Sequence, residues 1–375
     1  MGLLSLLKKL VSIPSYLGQN TNEKEIGEFI ISYLRKIPFI KRIEKEKVEG
    51  ERFNIFASDG FSPRLLLLGH LDTVEPRGWK ASQALQPKVK GKKLFGLGSY
   101  DMKGGISAIL ASLSSFKETQ GLSLLFYCDE EYDFKGMKRF TRKRNFSAKL
   151  AVCGEPTDLK IWNGARGIIK VSFIVEGKTA PASVPKKGKN AILGLLKGVL
   201  NLEKEIKKFK EKNLGFSTVN LSAIKGGVKK EGFIEERGDA VADIAWGLLD
   251  IRSASKKLDS KIIKKILFDF FKKEGLKMSK FSVYHDLKPF YTRKNEIKKA
   301  LFLIKKVLGK VEYLNLKEMG YQDIQLLNEK FKIPCFSFGP KGGKRHQEGE
   351  WVDIPSLFKV KKVYEALIRK FCQVL

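Results

Sequence analysis

Histidines and carboxylates, the residue types that bind metal ions and move protons, cluster at a few points in this sequence. Four clusters directly follow apolar runs and a fifth lies in a glycine-rich stretch: residues 69–73 (GHLDT), 129–131 (DEE), 154–157 (GEPT), 339–346 (GPKGGKRH) and 96–105 (GLGSYDMKGG). Imidazole and carboxylate are the ligands of hydrolytic zinc, and several carboxylates suit two ions that share one of them. The sequence therefore predicts a hydrolytic metal site.

Each cluster taken alone has a simpler interpretation. His70 would fit a hydrogen-bonded core histidine, residues 129–131 a solvated loop, and residues 96–105 a phosphate-binding loop. The glycine spacing argues against the last, because it is not that of a Walker motif and no clear strand directly precedes it. Five clusters in one chain, four of them at strand ends, favour a single site.

The elements that position these residues alternate between strands and helices. Short apolar runs predict buried strands, and apolar residues at helical spacing predict helices: strands at residues 65–68, 123–128 and 150–153, helices at residues 23–36, 106–116 and 137–144. Such alternation indicates an α/β sheet with helices on its faces. Because ligands bind at the carboxyl ends of strands in open α/β sheets, we expect the clusters to converge on one crevice.

The middle of the chain has a different order of elements. We predict strands at residues 169–176, 217–224, 242–252 and 278–285, and helices at residues 190–211 and 259–274. The order βαββαβ is that of the ferredoxin-like split unit, a complete α+β fold. We therefore expect two domains: a discontinuous catalytic domain of residues 1–166 and 287–375, and an inserted domain of residues 167–286.

Basic residues outnumber acidic ones by 72 to 41, which gives a formal net charge of +31. The lysines are scattered over predicted helices without a nucleic-acid motif, so we do not expect a nucleic-acid partner. The charge has two open interpretations: an ordinary solvated surface, or a basic surface that steers an acidic partner.

The apolar runs and the cysteines bear on where the protein works. No apolar run approaches the roughly 18 residues that a membrane span needs, so we expect no membrane partner. The four cysteines form no CxxC pair, and three of them lie in apolar, strand-like runs. These features predict a reducing compartment and a cytoplasmic protein.

The order of the five motifs resembles that of the M20 family of zinc metallopeptidases and deacylases. In this sequence the motifs read GHLDTV, GLGSYDMKGG, CDEE, GEPT and a late GPKGGKRH, and the resemblance runs nearly end to end. It implies an α/β fold: a zinc-exopeptidase-like catalytic domain, whose mixed sheet is flanked by helices, with an inserted ferredoxin-like α+β lid. It also implies two Zn²⁺ ions per chain, with Co²⁺ as a substitute metal.

The resemblance also implies roles for individual residues. Asp101 would bridge both zinc ions, and four further ligands would complete the two sites, His70 and Glu155 on one side and Glu131 and His346 on the other. Glu130 would act as the general base, and Asp72 would hold the tautomer of the His70 ring. In relatives the peptide bond after the bridging aspartate is cis, which predicts a cis bond between Asp101 and Met102.

Two positions of the inserted domain bear on substrate binding. Arg252 occupies the lid position at which the family places an arginine that grips the substrate carboxylate, a contact that suits a guanidinium fork. An ordinary surface arginine at a strand end is the alternative. Pro181 stands where the family's lid carries an oxyanion-stabilising histidine, and proline supplies no donor. A changed transition-state contact is therefore expected at this position.

These features predict a zinc-dependent hydrolase that acts on carbon–nitrogen bonds. The leading hypothesis is a deacylase of N-acyl amino acids in amino-acid biosynthesis, similar to acetylornithine deacetylase and succinyl-diaminopimelate desuccinylase. Alternatives are a dipeptidase or carboxypeptidase, and a hydrolase that releases an amino acid from an acidic carrier protein. Because of Pro181, a catalytically impaired metal-binding homologue is another alternative. The lids of relatives often mediate dimers, and both a homodimer through the lid and a monomer stay open.

Overall fold

The computed structural model describes residues 1–231 and 233–372, whose contacts group into two units. The first unit comprises residues 1–163, 292–314 and the chain from 326 onward, and the second comprises residues 164–291 and 315–325. The domain boundaries expected from the sequence stay a prediction. The grouping by contacts differs from them mainly in placing residues 315–325, beyond the predicted insertion, with the second unit.

The first unit contains a central sheet, flanking helices and a small second sheet, with elements numbered in chain order through both units. Its helices are α1 (Leu3–Ser12), α2 (Lys24–Leu34), α3 (Ala81–Ala84), α4 (Lys103–Leu113), α5 (Lys135–Lys143), α8 (Lys298–Leu308), α9 (Ile324–Phe331, grouped with this unit from residue 326) and α10 (Ile354–Cys372). Its strands are β1 (Arg42–Glu49), β2 (Arg52–Ser58), β3 (Leu65–His70), β4 (Lys88–Lys90), β5 (Lys93–Phe95), β6 (Leu122–Tyr127), β7 (Leu150–Cys153), β17 (Cys335–Ser337), β18 (Gly342–Gly343) and β19 (Trp351–Asp353).

The central sheet has the strand order β1-β2-β6-β3-β7-β17. Strands β6, β3, β7 and β17 run parallel to one another, whereas β1 pairs antiparallel with β2 and β2 antiparallel with β6. The apolar run Leu65 to Leu68 of β3 is fully buried, as expected for a strand covered on both faces. The prediction of an α/β fold with a mixed sheet flanked by helices is confirmed.

Helix α4 is buried along its whole length and follows directly on the glycine-rich stretch. Its second glycine, Gly105, lies so close to the chain after β7 that an added Cβ atom would come within 1.9 Å of the carbonyl oxygen of Gly154. Only glycine permits this approach. The start of α4 is thereby held next to the end of β7, where the GEPT cluster begins.

The second unit is built on a five-stranded antiparallel sheet with the order β13-β12-β14-β9-β15. Its strands are β8 (Gly164–Ala165), β9 (Gly167–Glu176), β10 (Lys210–Glu211), β11 (Gly215–Phe216), β12 (Thr218–Lys230), β13 (Phe233–Glu235), β14 (Ile244–Ser253), β15 (Lys277–Leu287) and β16 (Phe290–Tyr291). Its helices are α6 (Ala191–Ile206), α7 (Ser260–Lys273) and the short 3₁₀ turn Pro185–Lys187. Apart from β13, the sheet order and the two helices are those of a ferredoxin-like unit.

The predicted helix over residues 190–211 is too long. Helix α6 ends at Ile206, and the following residues form a small hairpin in which Lys210 pairs with Phe216 and Glu211 with Gly215. Gly215 has a φ of 77°, a left-handed conformation that glycine adopts without a steric penalty. Ser217 Oγ donates a 2.7 Å hydrogen bond to the carbonyl of Phe209 and fixes the base of the hairpin. These contacts within the hairpin end the helix before residue 211, although the spacing of the lysines is helical.

The four cysteines of the chain are unpaired and buried, and all of them belong to the first unit: Cys128, Cys153, Cys335 and Cys372. Burial raises the pKa of each of these thiols, as for small apolar side chains that pack inside a core. Among the described residues, no helix has both the length and the apolar character needed to cross a membrane.

Candidate metal centre

The predicted clusters meet at one edge of the central sheet because three neighbouring parallel strands end there. β3 ends at His70, β6 ends two residues before Asp129, and β7 ends two residues before Glu155. Parallel pairing of β3 with β6 and with β7 places these ends side by side. His346 comes from the loop between the β18 and β19 strands. The edge thus collects the histidines and carboxylates expected from the sequence.

Asp101 lies at the centre of this cluster and meets one histidine through each carboxylate oxygen. His70 Nε2 lies 3.2 Å from Oδ1, and His346 Nε2 lies 3.1 Å from Oδ2. His346 Nε2 also lies 2.8 Å from Oε1 of Glu131. Burial opposes ionisation of Asp101, but the charge of Arg345 and hydrogen bonds from the two histidines hold the pKa of Asp101 well below its usual range. Asp101 is therefore ionised, and each of its carboxylate oxygens can bind a positively charged group.

Glu155 lies on the His70 side of Asp101, with Oε1 3.6 Å from His70 Nε2. Both carboxylate oxygens of Glu155 are buried, and neither has a hydrogen-bond partner in the part of the chain that the structure describes. Burial, and after it the charge of Asp101, raises the pKa of Glu155 to about 7. A buried carboxylate without donors is unfavourable, and a cation would supply the missing partner.

The donor atoms present suit a divalent cation. Ligand atoms of His70, Asp101 and Glu131 all lie within 4.8 Å of one another, and Glu155 and His346 adjoin them. Imidazole nitrogen and carboxylate oxygen form the ligand set of catalytic zinc and of related ions. Burial lowers the pKa of both histidines, yet the surrounding carboxylates raise that of His70 well above its usual range and that of His346 to about 9. The cluster thus concentrates negative charge around two imidazoles.

Asp72 is buried beside His70, but its carboxylate contacts a different group more closely. His70 Nδ1 lies 3.0 Å from the backbone oxygen of Asp72 and 3.6 Å from its Oδ1. The other carboxylate oxygen, Oδ2, accepts a 2.8 Å hydrogen bond from the backbone N–H of Glu131. Asp72 therefore connects the His70 side of the cluster with the Glu131 side.

A buried ion network fixes the turn that carries Glu130 and Glu131. Arg52 on β2 donates two 2.7 Å hydrogen bonds to the two carboxylate oxygens of Glu23 and a third hydrogen bond to Asp129. Asp129 has a φ of 72°, and its backbone N–H donates to Glu23. Glu130 follows directly and is 4% exposed. Nothing in the sequence pointed to Arg52 and Glu23, because pairing between residues so far apart leaves no local pattern.

Glu350 holds the glycine-rich loop that carries Asp101. Its Oε1 accepts hydrogen bonds from the backbone N–H groups of Tyr100 and Asp101, and its Oε2 accepts one from Gly98, each at 2.9 Å. Burial raises the pKa of Glu350 to about 7 although these three donors lower it. The peptide bond between Asp101 and Met102 is cis, which confirms the prediction for this bond.

Arg345 also contacts the cluster of histidines and carboxylates, although it was not among the residues expected there. Its Nε contacts Oδ2 of Asp101, the oxygen that also faces His346. Partial burial of Arg345, whose side chain is 39% exposed, opposes its charge, but Asp101, Glu155 and Glu131 hold its pKa above the usual range. The only signal in the sequence was its position directly before His346, within the last motif.

Arg252 lies at the end of β14 in the second unit. Its Nε and Nη2 lie 2.8 Å and 3.1 Å from the two carboxylate oxygens of Asp250, and its guanidinium lies over the Tyr321 ring. Burial, and then the charge of Arg252, lowers the pKa of Arg166. Pro181, in the same unit, is exposed and bridges to Ala240. The guanidinium fork of Arg252 therefore has a carboxylate partner within its own unit.

Sequence comparison places the chain among peptidases and deacylases of one family. The model of a family described as peptidase family M20/M25/M40 matches residues 66–370. A peptidase M20 domain-containing protein of Schizosaccharomyces pombe is 33% identical over 277 residues, which cover 68% of this chain and 66% of that protein. Acetylornithine deacetylase of Buchnera aphidicola subsp. Schizaphis graminum is 25% identical over 387 residues, 98% of each chain.

Solved structures show the same fold. An M20 family metallo-carboxypeptidase from Sulfolobus solfataricus superposes with a TM-score of 0.76 at 18% identity, over 98% of this chain and 99% of that one.

The chain spans only 58% to 66% of the length of three fungal relatives that it matches.

Proposed function

The chain belongs to peptidase family M20/M25/M40, and on this basis we propose that it is a metal-dependent amidohydrolase that cleaves the amide bond of an N-acyl amino acid. The observation that carries the proposal is the arrangement around Asp101, whose two carboxylate oxygens each face a histidine and whose neighbours are carboxylates. Asp101 has one histidine and one further carboxylate on each side, and a carboxylate in this position is suited to bridge two cations.

The residues divide into two ligand sets that share Asp101. His70 and Glu155 would hold one cation, and Glu131 and His346 the other. Two observations support this division: the carboxylate oxygens of Glu155 have no hydrogen-bond partner among the described residues, and Glu131 contacts His346 at 2.8 Å. We propose Zn²⁺ as the ion at both positions, with Co²⁺ as a substitute. When bound, the two ions would polarise the amide carbonyl and make water more acidic.

Glu130 is proposed as the general base. It follows Asp129 in a turn that the Arg52 network fixes, and it is buried next to the proposed ligand Glu131. Glu130 would remove a proton from the attacking water and return it to the nitrogen of the leaving amine. Asp72 would keep this arrangement in place, because it contacts His70 and also accepts a hydrogen bond from the backbone of Glu131.

The choice of an N-acyl amino acid rests on relationship along the whole chain. The acetylornithine deacetylase of Buchnera aligns over 98% of both proteins, whereas the fungal relatives extend beyond the region that aligns. We propose that Arg252 binds the carboxylate of the amino acid in place of Asp250. The excess of basic residues also permits an acidic carrier protein as the source of the amino acid.

A peptidase activity is the second candidate. It is favoured by the name of the Schizosaccharomyces relative and by the superposition on a metallo-carboxypeptidase. The same residues would serve this reaction, because a peptide bond and an N-acyl bond are both amides and differ only in the groups on either side.

The test combines metal analysis with hydrolysis assays. Purified protein is analysed for bound metal, and hydrolysis of N-acetyl amino acids, N-succinyl amino acids and dipeptides is followed in the native chain and in Glu130→Gln. Glu118→Gln is the matched control, since Glu118 is exposed. We expect about two zinc ions per chain, activity that chelation abolishes and zinc restores, and a loss of at least a hundredfold in kcat only in Glu130→Gln.

Each other outcome has a definite meaning. Dipeptide hydrolysis without deacylation would select the peptidase. Two zinc ions without hydrolysis of any substrate would select an impaired homologue and would draw attention to Pro181, which cannot donate to an oxyanion. Failure to bind metal, or full activity in Glu130→Gln, would refute the proposed mechanism.

A further inference from the structure

Arg345 places a positive charge against one carboxylate oxygen of Asp101. Its Nε contacts Oδ2 of Asp101, and the same nitrogen lies 3.4 Å from Nε2 of His346. His346 Nε2 in turn lies 3.1 Å from the same Oδ2. The guanidinium therefore reaches the two atoms that a cation on the Glu131 side of Asp101 would need.

The loop backbone directs both side chains toward this point. Lys344 and His346 have φ values of 57° and 60°, so a left-handed residue stands on each side of Arg345. Such conformations are uncommon for residues other than glycine, and they persist only where surrounding structure holds them. The loop backbone therefore sets the point from which the Arg345 side chain extends, while the side chain itself is 39% exposed and can leave Asp101.

Among the described residues, no arginine or lysine contacts the other oxygen of Asp101. Oδ1 of Asp101 faces His70, and Glu155 lies beside His70 with both carboxylate oxygens lacking a hydrogen-bond partner among the described residues. The charge of Arg345 acts on Glu155 as well as on Glu131, so the two halves differ in contact rather than in the presence of that charge. Among the described residues, the guanidinium directly contacts Asp101 Oδ2 and His346 Nε2, whereas Glu155 has no hydrogen-bond donor.

We propose that Arg345 competes with the cation on the Glu131–His346 side, so that the two metal positions fill in order, the His70–Glu155 position first. This inference rests on the proposed two-metal function. A guanidinium within a few ångströms of a divalent ion repels it, and because the Arg345 side chain is 39% exposed and can turn toward solvent, we expect the net effect to be roughly a tenfold or greater loss of affinity rather than the full Coulomb repulsion. Metal entering the second position must displace Arg345 from Asp101.

The experiment is a calorimetric titration of the metal-free full-length chain with Zn²⁺. For the native chain we expect two binding steps that differ by tenfold or more, of which the weaker disappears in Glu131→Ala. Arg345→Met should tighten the weaker step by roughly tenfold or more, and the tighter step by a clearly smaller factor, because the charge of Arg345 also acts on Glu155. Arg345→Lys, which keeps the charge, should retain most of the separation.

Lys344→Met is the matched control, because it removes the same charge from the neighbouring, exposed residue. We expect both steps to stay within threefold of the native values in this variant. Circular dichroism and the thermal midpoint verify that each variant is folded.

Three results would overturn the inference: a weaker step that is unchanged or weakened in Arg345→Met, an equal shift of both steps, or the same shift in Lys344→Met. A native chain that binds no Zn²⁺ at all would instead refute the proposed function. The two failures are therefore distinguishable in one titration series.

Discussion

The carboxylate of Glu350 accepts a 2.9 Å hydrogen bond from the backbone N–H of Asp101, so the residue at the centre of the cluster is held by a side chain 249 positions later. The same carboxylate also accepts the N–H groups of Gly98 and Tyr100. A buried carboxylate with three backbone donors fixes the course of a loop. The position of Asp101 therefore depends on the segment after His346 as well as on its own motif.

We predict that Glu350→Gln weakens Zn²⁺ binding and lowers the stability of the fold. The glutamine amide would direct its own N–H groups toward backbone donors, and leaving such buried groups unpaired costs about 1–3 kcal/mol. Thermal unfolding and calorimetric titration measure the two effects. Glu348→Gln, at an exposed position in the same loop, should behave like the native chain. Native zinc affinity in Glu350→Gln would show that the loop does not depend on this carboxylate.

Replacing Arg52 tests the network under the Glu130 turn. Arg52→Met would leave Glu23 and Asp129 buried without their cation, and breaking a buried ion pair in this way costs about 3–5 kcal/mol. Arg52→Lys keeps the charge but lacks the fork that contacts both oxygens of Glu23, so an intermediate loss is expected. Unfolding in urea provides the measurement, with the exposed Arg35→Met as control. Equal stability of Arg52→Met and Arg35→Met would contradict this account.

Metal removal should lower the thermal midpoint of the native chain. A ligand that binds only the folded state at a concentration hundredfold above its Kd stabilises that state by about 2.7 kcal/mol. We expect EDTA to lower the midpoint, calcium-saturated EDTA to have little effect, and added Zn²⁺ to restore the original value. Differential scanning calorimetry would detect the shift. The same midpoint with and without EDTA would argue against a bound metal.

Asp259 predicts a pH-dependent contribution to stability in the second unit. It caps α7 by accepting a 3.0 Å hydrogen bond from the backbone N–H of Ile262, and this bond lowers the pKa of Asp259. A carboxyl whose pKa is depressed by folding stabilises the fold above its unfolded pKa of about 3.9, and that stabilisation is lost as the pH falls through the folded value. Asp259→Ala should therefore cost about 1 kcal/mol at pH 6.

The difference between native and Asp259→Ala proteins should shrink below about pH 4. Asp259→Asn should stay closer to the native chain at pH 6, since asparagine also caps helices. Denaturant unfolding between pH 3 and pH 7 checks both expectations. A difference that does not change with pH would mean that the charge of the cap is irrelevant.

The residues that the structure brings together in the candidate metal centre could be singled out from the sequence because most of them follow strands that are easily recognised. The run Leu65 to Leu68 is apolar without interruption, and His70 ends the strand. The structure brings His70 together with Asp101, Glu131, Glu155 and His346, while the roles of these residues stay proposals. The cis bond after Asp101 came from the family resemblance, since no local pattern in the residues themselves indicates it.

A charged edge strand and two long-range contacts could not be predicted from the sequence. Strand β1 (RIEKEKVE) has no fully buried residue and is rich in charge, so no apolar run marked it, yet it pairs with β2 along its length. The contact of Arg345 with Asp101 arises in a loop with left-handed backbone at Lys344 and His346, a conformation that is uncommon outside glycine and that the sequence did not indicate. Pairing of Glu23 with Arg52 and Asp129 arises only when α2, β2 and the end of β6 are assembled.

The placement of the four cysteines makes thiol reactivity a measure of local unfolding in the first unit. All four thiols are buried in the first unit, and the second unit contains none. A thiol-modifying reagent would therefore react at the rate at which the first unit exposes its interior, and it would give no signal if the second unit alone came apart. Mass spectrometry of the labelled chain would follow the opening of one unit separately from that of the other.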